Sequence, residues 1–207
     1  MRLRWHACPF PEVASEVPPA GRIVDVGCGH GLLALHLAAG SSSREVIGLD
    51  IDDAKLAAAR AAAAVHPALD NVTFSSADRL GDLDGPAAAI TVVDMLYLLD
   101  RVHQEALVQS LAQRLAPGGR LVIKEMAPTP RWKHRWMRAE EIVATRVARI
   151  TASNDGVLCF TAPAEMRRWM TEAGLEVDER AVDGGRPYPH HLVVGRATWG
   201  AAGGRGP

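Results

Sequence analysis

A short apolar strand running straight into Gly27-Cys28-Gly29-His30-Gly31 leaves this chain few folds to choose from. Three glycines at alternate positions remove every second Cβ, as needed where backbone turns sharply or lies flat against a bound molecule. Upstream, Gly21 to Asp25 (GRIVD) reads as a buried strand. Downstream, Leu32, Leu33, Leu35, His36 and Leu37 follow in a helix that stops near Gly40 and the serines at 41–43. Strand, glycine turn and helix N-terminus together make the opening unit of a parallel α/β sheet. The free N–H groups of that helix start suit an anionic group such as a carboxylate or phosphate.

The alternation continues along the chain, which predicts a doubly wound α/β sheet with helices on both faces. Glu45 to Asp50 is the second strand, and the alanine-rich stretch Asp53 to Val65 is a helix capped by Asp52 or Asp53. Asn71 to Ser75 is the third strand, followed by a polar turn from Ser76 to Gly81. Ala88 to Leu96 is the fourth, apolar apart from Thr91 and Asp94. A helix from Arg101 to Leu115 ends at Pro117-Gly118-Gly119, which turns the chain into a fifth strand, Arg120 to Met126. A helix around Ala164 to Ala173 and strands Leu175 to Val182 and His191 to Thr198 close the pattern.

A length of 207 residues suits one such domain, read here as residues 1–200 with a disordered Gly/Ala-rich tail at 201–207. Formal net charge is −1, so no overall basic field points to nucleic acid. Cys8, Cys28 and Cys159 are scattered and odd in number, which fits neither a disulfide framework nor a zinc site. The first ten residues carry no apolar run of the signal-peptide kind, and no run approaches the ~20 residues of a membrane span. The expected location is cytoplasmic.

Asp50 stands at the end of the second strand, twenty-three positions after Gly27. In an open α/β sheet both strand ends face one crevice, and a carboxylate there can accept hydrogen bonds from both hydroxyls of a ribose. Asp78 follows the third strand, where it can accept from an adenine amino group. Three successive strands thus offer ligand-facing groups in order.

With these pieces in place, the chain resembles the class I S-adenosylmethionine-dependent methyltransferases, in particular the small-molecule type related to the ubiquinone and trans-aconitate enzymes. The motifs that carry the resemblance are VDVGCGHG, VIGLDID, SSADRL, AITVVDMLYLL and LAPGGRLVIKEM, from about Gly21 to Met126. The resemblance implies a Rossmann-like seven-stranded sheet in the order 3-2-1-4-5-7-6 with the last strand antiparallel. It implies S-adenosyl-L-methionine as cofactor. Asp25 and the glycines Gly27, Gly29 and Gly31 would hold its methionine part, Asp50 its ribose and Asp78 its adenine, with Asp94 and nearby backbone on its other side. Cys28, Ile51 and Arg79 would also border the cofactor. A nicotinamide-dependent oxidoreductase is the fold-level competitor, but its fingerprint is G-x-G-x-x-G, and here position 32 is Leu.

Methyl transfer needs an aligned acceptor, and a base only where the acceptor holds a proton. Tyr97, Glu125 and His191 are the catalytic candidates near the expected acceptor pocket. For Tyr97 the alternative is a core aromatic, for Glu125 an ion pair with a neighbouring cation, and for His191 a structural histidine. His190 and His191 point to opposite strand faces, an arrangement that argues against a shared metal. Cys28 reads as a small filler rather than a nucleophile.

Residues 127–160 depart from the alternation and read as a helical insert after the fifth strand. Trp132, Trp136, Val143, Val147 and Ile150 share one helical face, and the first turns carry Arg131, Lys133, His134, Arg135 and Arg138. The insert is either a lid over the acceptor, a partner or membrane-surface contact, or structural. An Asn-Pro-Pro-Tyr tetrapeptide after strand four is absent, which argues against amide or nucleobase amino acceptors. The expected activity is methylation of an oxygen or carbon atom in a small metabolite, lipid-like or aromatic. A non-catalytic cofactor-binding module is the alternative of a different class.

Overall fold

Parallel strands covered on both faces are apolar at consecutive positions, and that property fixes the centre of this sheet. The computed structural model describes residues 8–81, 85–126, 158–182 and 189–198, without the side chains of Arg79 and Leu80. The expected insert helix, the lid role and the 201–207 tail lie outside the described residues, apart from residues 158–160.

The chain enters through a one-turn helix, α1 (Phe10–Ala14), before β1 (Gly21–Val26). After the glycine turn come α2 (Leu32–Gly40), β2 (Arg44–Asp50), α3 (Asp53–Ala64) and β3 (Val72–Ser76). A 3₁₀ turn (Ala77–Leu80) precedes β4 (Ala87–Val93), and a second (Leu96–Leu98) precedes α4 (Arg101–Ala112). The chain closes with β5 (Leu115–Met126), α5 (Pro163–Glu172), β6 (Leu175–Ala181) and β7 (His190–Ala197).

The strand order is β3-β2-β1-β4-β5-β7-β6, with β7 antiparallel to both its neighbours, as the resemblance implied. Alternate side chains sort into two cores. Ile23, Val46, Val93 and Val122 meet α1, α2 and α3 through Phe10, Leu37 and Leu56. Val24, Leu49, Val92 and Ile123 meet α4 and α5 through Leu111, Met166 and Trp169. Trp169 is wholly buried, and truncation of such a side chain to Ala costs about 3–5 kcal/mol.

Local chemistry sets the element ends. Asp52 caps α3, its Oδ1 accepting from the amides of Ala54 and Lys55 at 3.0 and 3.1 Å. The Arg44 guanidinium donates to the carbonyls of Pro18, Val17 and Leu37, tying the approach to β1 onto the end of α2.

The boundaries depart most from the sequence reading around β4 and between α4 and β5. The fourth strand stops at Val93 rather than Leu96, because Asp94 adopts φ 51° and the next two amides are taken by a side chain of β5. The helix before β5 ends at Ala112, since Leu115 is already paired with Ala87. The Pro117-Gly118-Gly119 stretch is then an interruption within β5, and pairing resumes at Ala89–Arg120.

Candidate active site

The glycine turn is held by β2. The amides of Gly27 and Cys28 both donate to the Leu49 carbonyl, at 2.8 and 2.9 Å. Gly27, Gly29 and Gly31 all have φ between 56° and 74°, the left-handed region that L side chains avoid. Their surroundings differ. A Cβ on Gly31 would lie 2.6 Å from the Phe74 ring, and one on Gly27 would lie 2.6 Å from Met95 Cγ. A Cβ on Gly29 would meet nothing within 4 Å, so the turn is packed from below and open above.

Asp25, at 2 % exposure, lies beneath this opening and accepts a 2.7 Å hydrogen bond from the Thr91 hydroxyl of β4. Phe10, Asp25, Gly27, Cys28, His30, Leu32, Leu33 and Val93 line a cleft there. The Cys28 thiol stays protonated, its pKa raised first by burial and then by the charges of Asp25 and Asp50. That chemistry suits a filler of the cleft wall rather than a nucleophile.

Asp50 is nearly buried, with Oδ2 accepting from the Gly29 amide at 2.7 Å and Oδ1 from Asp52 at 2.9 Å. A carboxylate has about four acceptor positions, so the remaining ones can serve two ribose hydroxyls. Beside it Ile51 is 72 % exposed, a large apolar side chain turned to solvent at the crevice rim. Asp78 is exposed, with Oδ2 3.4 Å from the Ser76 hydroxyl. A buried carboxylate, an apolar surface beside it and an open glycine turn fit the three chemical parts of an adenosyl amino acid. The side chain of Arg79 lies outside the described residues.

The second half of the crevice is built from the exits of β4 and β5. Lys124 and Glu125 are adjacent on β5 and so face opposite sides of the sheet. Lys124, with no exposed side-chain surface, donates to Asp94 Oδ1 at 2.6 Å. Asp94 Oδ2 lies 3.7 Å from the Cys8 sulfur. On the other face Glu125 Oε1 accepts from the amides of Met95 and Leu96, at 2.9 and 2.8 Å. Burial pushes Glu125 up to about 8, the Asp94 charge adds to this, and the two amides pull the other way.

His191 is directly opposite Glu125 across the β5–β7 ladder, on the same face. Its Nδ1 is 3.8 Å from Glu179 Oε1 and forms no hydrogen bond there. His190 lies on the reverse face, paired with Met126. Tyr97 stacks on Phe160 with centroids 5.2 Å apart, and its carbonyl accepts from the Cys159 amide. Gln104, fully buried, donates to the carbonyls of Leu99 and Cys159 and accepts from Thr161, so residues 159–161 are fastened to the β4 exit.

The described cofactor candidates stand at or just after the carboxyl ends of β1 to β4, with Asp25, Gly27 and Cys28 lining the cleft, and Tyr97, Glu125 and His191 lie around the β4–β5–β7 side. Sequence reasoning missed Thr91, Lys124 and Met95. Thr91 and Lys124 carried a signal, each being a polar residue inside an otherwise apolar strand. Met95 carried none. Among the described residues, no cluster of His, Cys, Asp or Glu is placed to hold a metal ion. No described helix is long and apolar enough to cross a membrane.

Comparison with known proteins gives a consistent picture. A family model described as a methyltransferase domain matches residues 7–180. The chain is 32 % identical over 176 residues to the trans-aconitate 2-methyltransferase of Methylobacterium nodulans, which covers 82 % of this chain and 64 % of that protein. It thus spans less than two thirds of that relative's length. It is 35 % identical over 188 residues to the demethylmenaquinone methyltransferase of Thermus thermophilus, covering 84 % of this chain and 82 % of that one. In fold it is similar to the magnesium protoporphyrin IX methyltransferase of Synechocystis PCC 6803 with bound SAH, with a TM-score of 0.67 and 20 % identity. That match covers 91 % of this chain and 82 % of the other.

Proposed function

This chain belongs to the class I S-adenosylmethionine-dependent methyltransferases, and from that premise we propose that it methylates an oxygen or carbon atom of a small organic acceptor. The observation that carries the cofactor part of the proposal is the pairing of an open glycine turn with the buried Asp50 carboxylate and exposed Ile51. The choice of oxygen or carbon rests on the missing Asn-Pro-Pro-Tyr tetrapeptide after β4. The two relatives named above take acceptors with no shared scaffold, so they support the reaction class and leave the acceptor to experiment.

When bound, the cofactor supplies an electrophilic sulfonium methyl group. Asp50 would then hold the ribose hydroxyls, with Ile51, Asp78 and Arg79 around the adenine. Asp25, Gly27, Cys28, Gly29 and Gly31 would form the bed for the methionine part, and Asp94 would stand at its other side. Alignment of the acceptor with the methyl group can contribute ~7–11 kcal/mol, so positioning carries most of the acceleration. Tyr97 lies on the acceptor side as an aromatic wall. Where the acceptor carries a proton, His191 is the group to receive it at Nε2, its buried Nδ1 being turned toward Glu179 and Glu125 standing across the ladder. Such a base adds roughly 10²–10⁴-fold.

Titration calorimetry with SAH, SAM, NAD and NADP tests the cofactor assignment, followed by an SAH-release assay over hydroxylated aromatic, quinol and carboxylate acceptors. SAH binding together with acceptor-dependent SAH release supports the proposal. SAH binding with no release over any acceptor favours a non-catalytic module, and binding of a nicotinamide dinucleotide alone overturns the reading.

A further inference from the structure

We propose that Lys124 and Glu125 act together as positioning residues, a two-sided clamp that holds the β4 exit turn as a common wall for cofactor and acceptor. The geometry is reciprocal. Adjacent residues of one strand grip successive residues of the next from opposite faces of the sheet. Lys124 Nζ takes the Asp94 side chain at 2.6 Å, while the Lys124 carbonyl accepts from the Asp94 amide at 3.0 Å. Glu125 takes the two amides that follow, through a single oxygen.

The gripped turn needs such restraint. Asp94 is the one non-glycine residue at positive φ among those described, a conformation that costs roughly 1–2 kcal/mol for an L side chain. The amides of Met95 and Leu96 have left the β4 ladder, so without Glu125 they would be buried donors lacking that acceptor.

The turn also reaches three other parts of the site. Met95 lies against Gly27, where its Cγ is 2.6 Å from the position a Cβ would take. Tyr97 carries Phe160 and Cys159. Leu96 enters the core beneath β4 and β5. A change at Glu125 is therefore transmitted through Met95 to the glycine turn, although Glu125 itself is not among the residues lining the cleft there.

The inference rests on the proposed function for its purpose, but its first test does not need the cofactor. Protein labelled with [methyl-¹³C]methionine reports the Met95 methyl directly, assigned by loss of one peak in Met95→Leu. Met166 and Met170, in α5, serve as internal controls for folding. The expected result is a displaced or exchange-broadened Met95 signal in Glu125→Ala, with Met166 and Met170 unmoved and SAH affinity about tenfold weaker. Glu125→Gln, which keeps one oxygen for the two amides, restores the Met95 signal. Asp94→Asn, removing the charge partner of Lys124, gives a smaller displacement of the same peak.

An unchanged Met95 signal in Glu125→Ala overturns the clamp. So does a Glu125→Gln spectrum as disturbed as that of the alanine variant. If Glu125→Ala does not fold, Asp94→Asn and Glu125→Gln decide by the same peak. Failure of SAH to bind wild-type protein counts against the proposed function and leaves the apo spectrum as the test of the clamp.

Discussion

The two halves of the crevice handle their polar groups in different ways. On the β1–β2 side the work is done by backbone: three glycines at positive φ, amides on the Leu49 carbonyl, and Asp50 receiving two further amides. On the β4–β5 side it is done by buried ionisable side chains, Lys124 on Asp94 and Glu125 on the turn that follows. Backbone geometry depends little on pH and poorly tolerates substitution. Buried ionisable groups tolerate some substitutions and respond to pH. The first half is fixed by the backbone itself, and the second by side chains that hold a turn in place.

The strongest test of this contrast lies in the glycines. Gly31→Ala combines positive φ with contacts of 2.6 and 2.7 Å to Phe74 and 2.9 Å to Ala59. Left-handed strain and overpacking together predict a loss of about 2–5 kcal/mol. Gly29→Ala has the strain and no clash, so it should cost only ~1–2 kcal/mol in urea denaturation. Its Cβ would project into the open side of the turn, so SAH affinity should fall sharply in an otherwise folded protein. Equal stability losses for the two variants would mean that the turn is not packed from below.

Asp50→Ala comes next. It removes an acceptor from the Gly29 and Asp52 amides as well as from the proposed ribose contacts. Two charge-assisted hydrogen bonds predict roughly a hundredfold loss of SAH affinity by calorimetry. An affinity within a factor of three of wild type would remove Asp50 from the binding site.

These distinctions track what could be read in the sequence. The glycine turn, Asp50 and the succession of strands follow from local pattern, because glycine placement and apolar runs act on the chain that contains them, whereas the strand order came only from the family resemblance. The end of β4 does not. Met95 and Leu96 continue an apolar run, and only Glu125, thirty residues away, diverts their amides from the ladder. The early end of α4 has the same origin, since Leu115 is recruited by Ala87 across the sheet. α1 is a single turn, too short to show a period, and is held by Phe10 and Val13 in the core. The tryptophan-bearing stripe within 127–160 was legible as a pattern, yet it lies outside the described residues.

The charged half is sharpened by pH. Glu125 is raised from an ordinary 4.5 to about 8, chiefly by burial and then by Asp94. The folded state therefore holds this proton more tightly than the unfolded chain does. The associated stability is fully present below about pH 4.5 and is lost as pH rises to about 8. At its steepest the loss is about 1.4 kcal/mol per pH unit. Urea denaturation of wild type and Glu125→Gln between the two limits should give curves that diverge with that slope, the variant lacking this fall. Parallel curves would show that Glu125 is ionised throughout, and that the two halves differ less than their geometry suggests.

The smallest expected effect probes the backbone half at its one exposed apolar contact. Ile51 projects into solvent, so Ile51→Ala removes no core packing and should leave the melting temperature of the apo protein within a degree or so of wild type. If adenine covers this side chain, the lost methylenes amount to ~1 kcal/mol, a threefold to tenfold weaker SAH affinity. The loss should appear for SAH and adenosine alike and be absent for methionine, since only the nucleoside would reach Ile51. An equal loss for all three ligands would place the effect in the turn itself rather than at the adenine. In that case Ile51 would act through its neighbour Asp50, and the apolar rim would drop out of the description of the cofactor half.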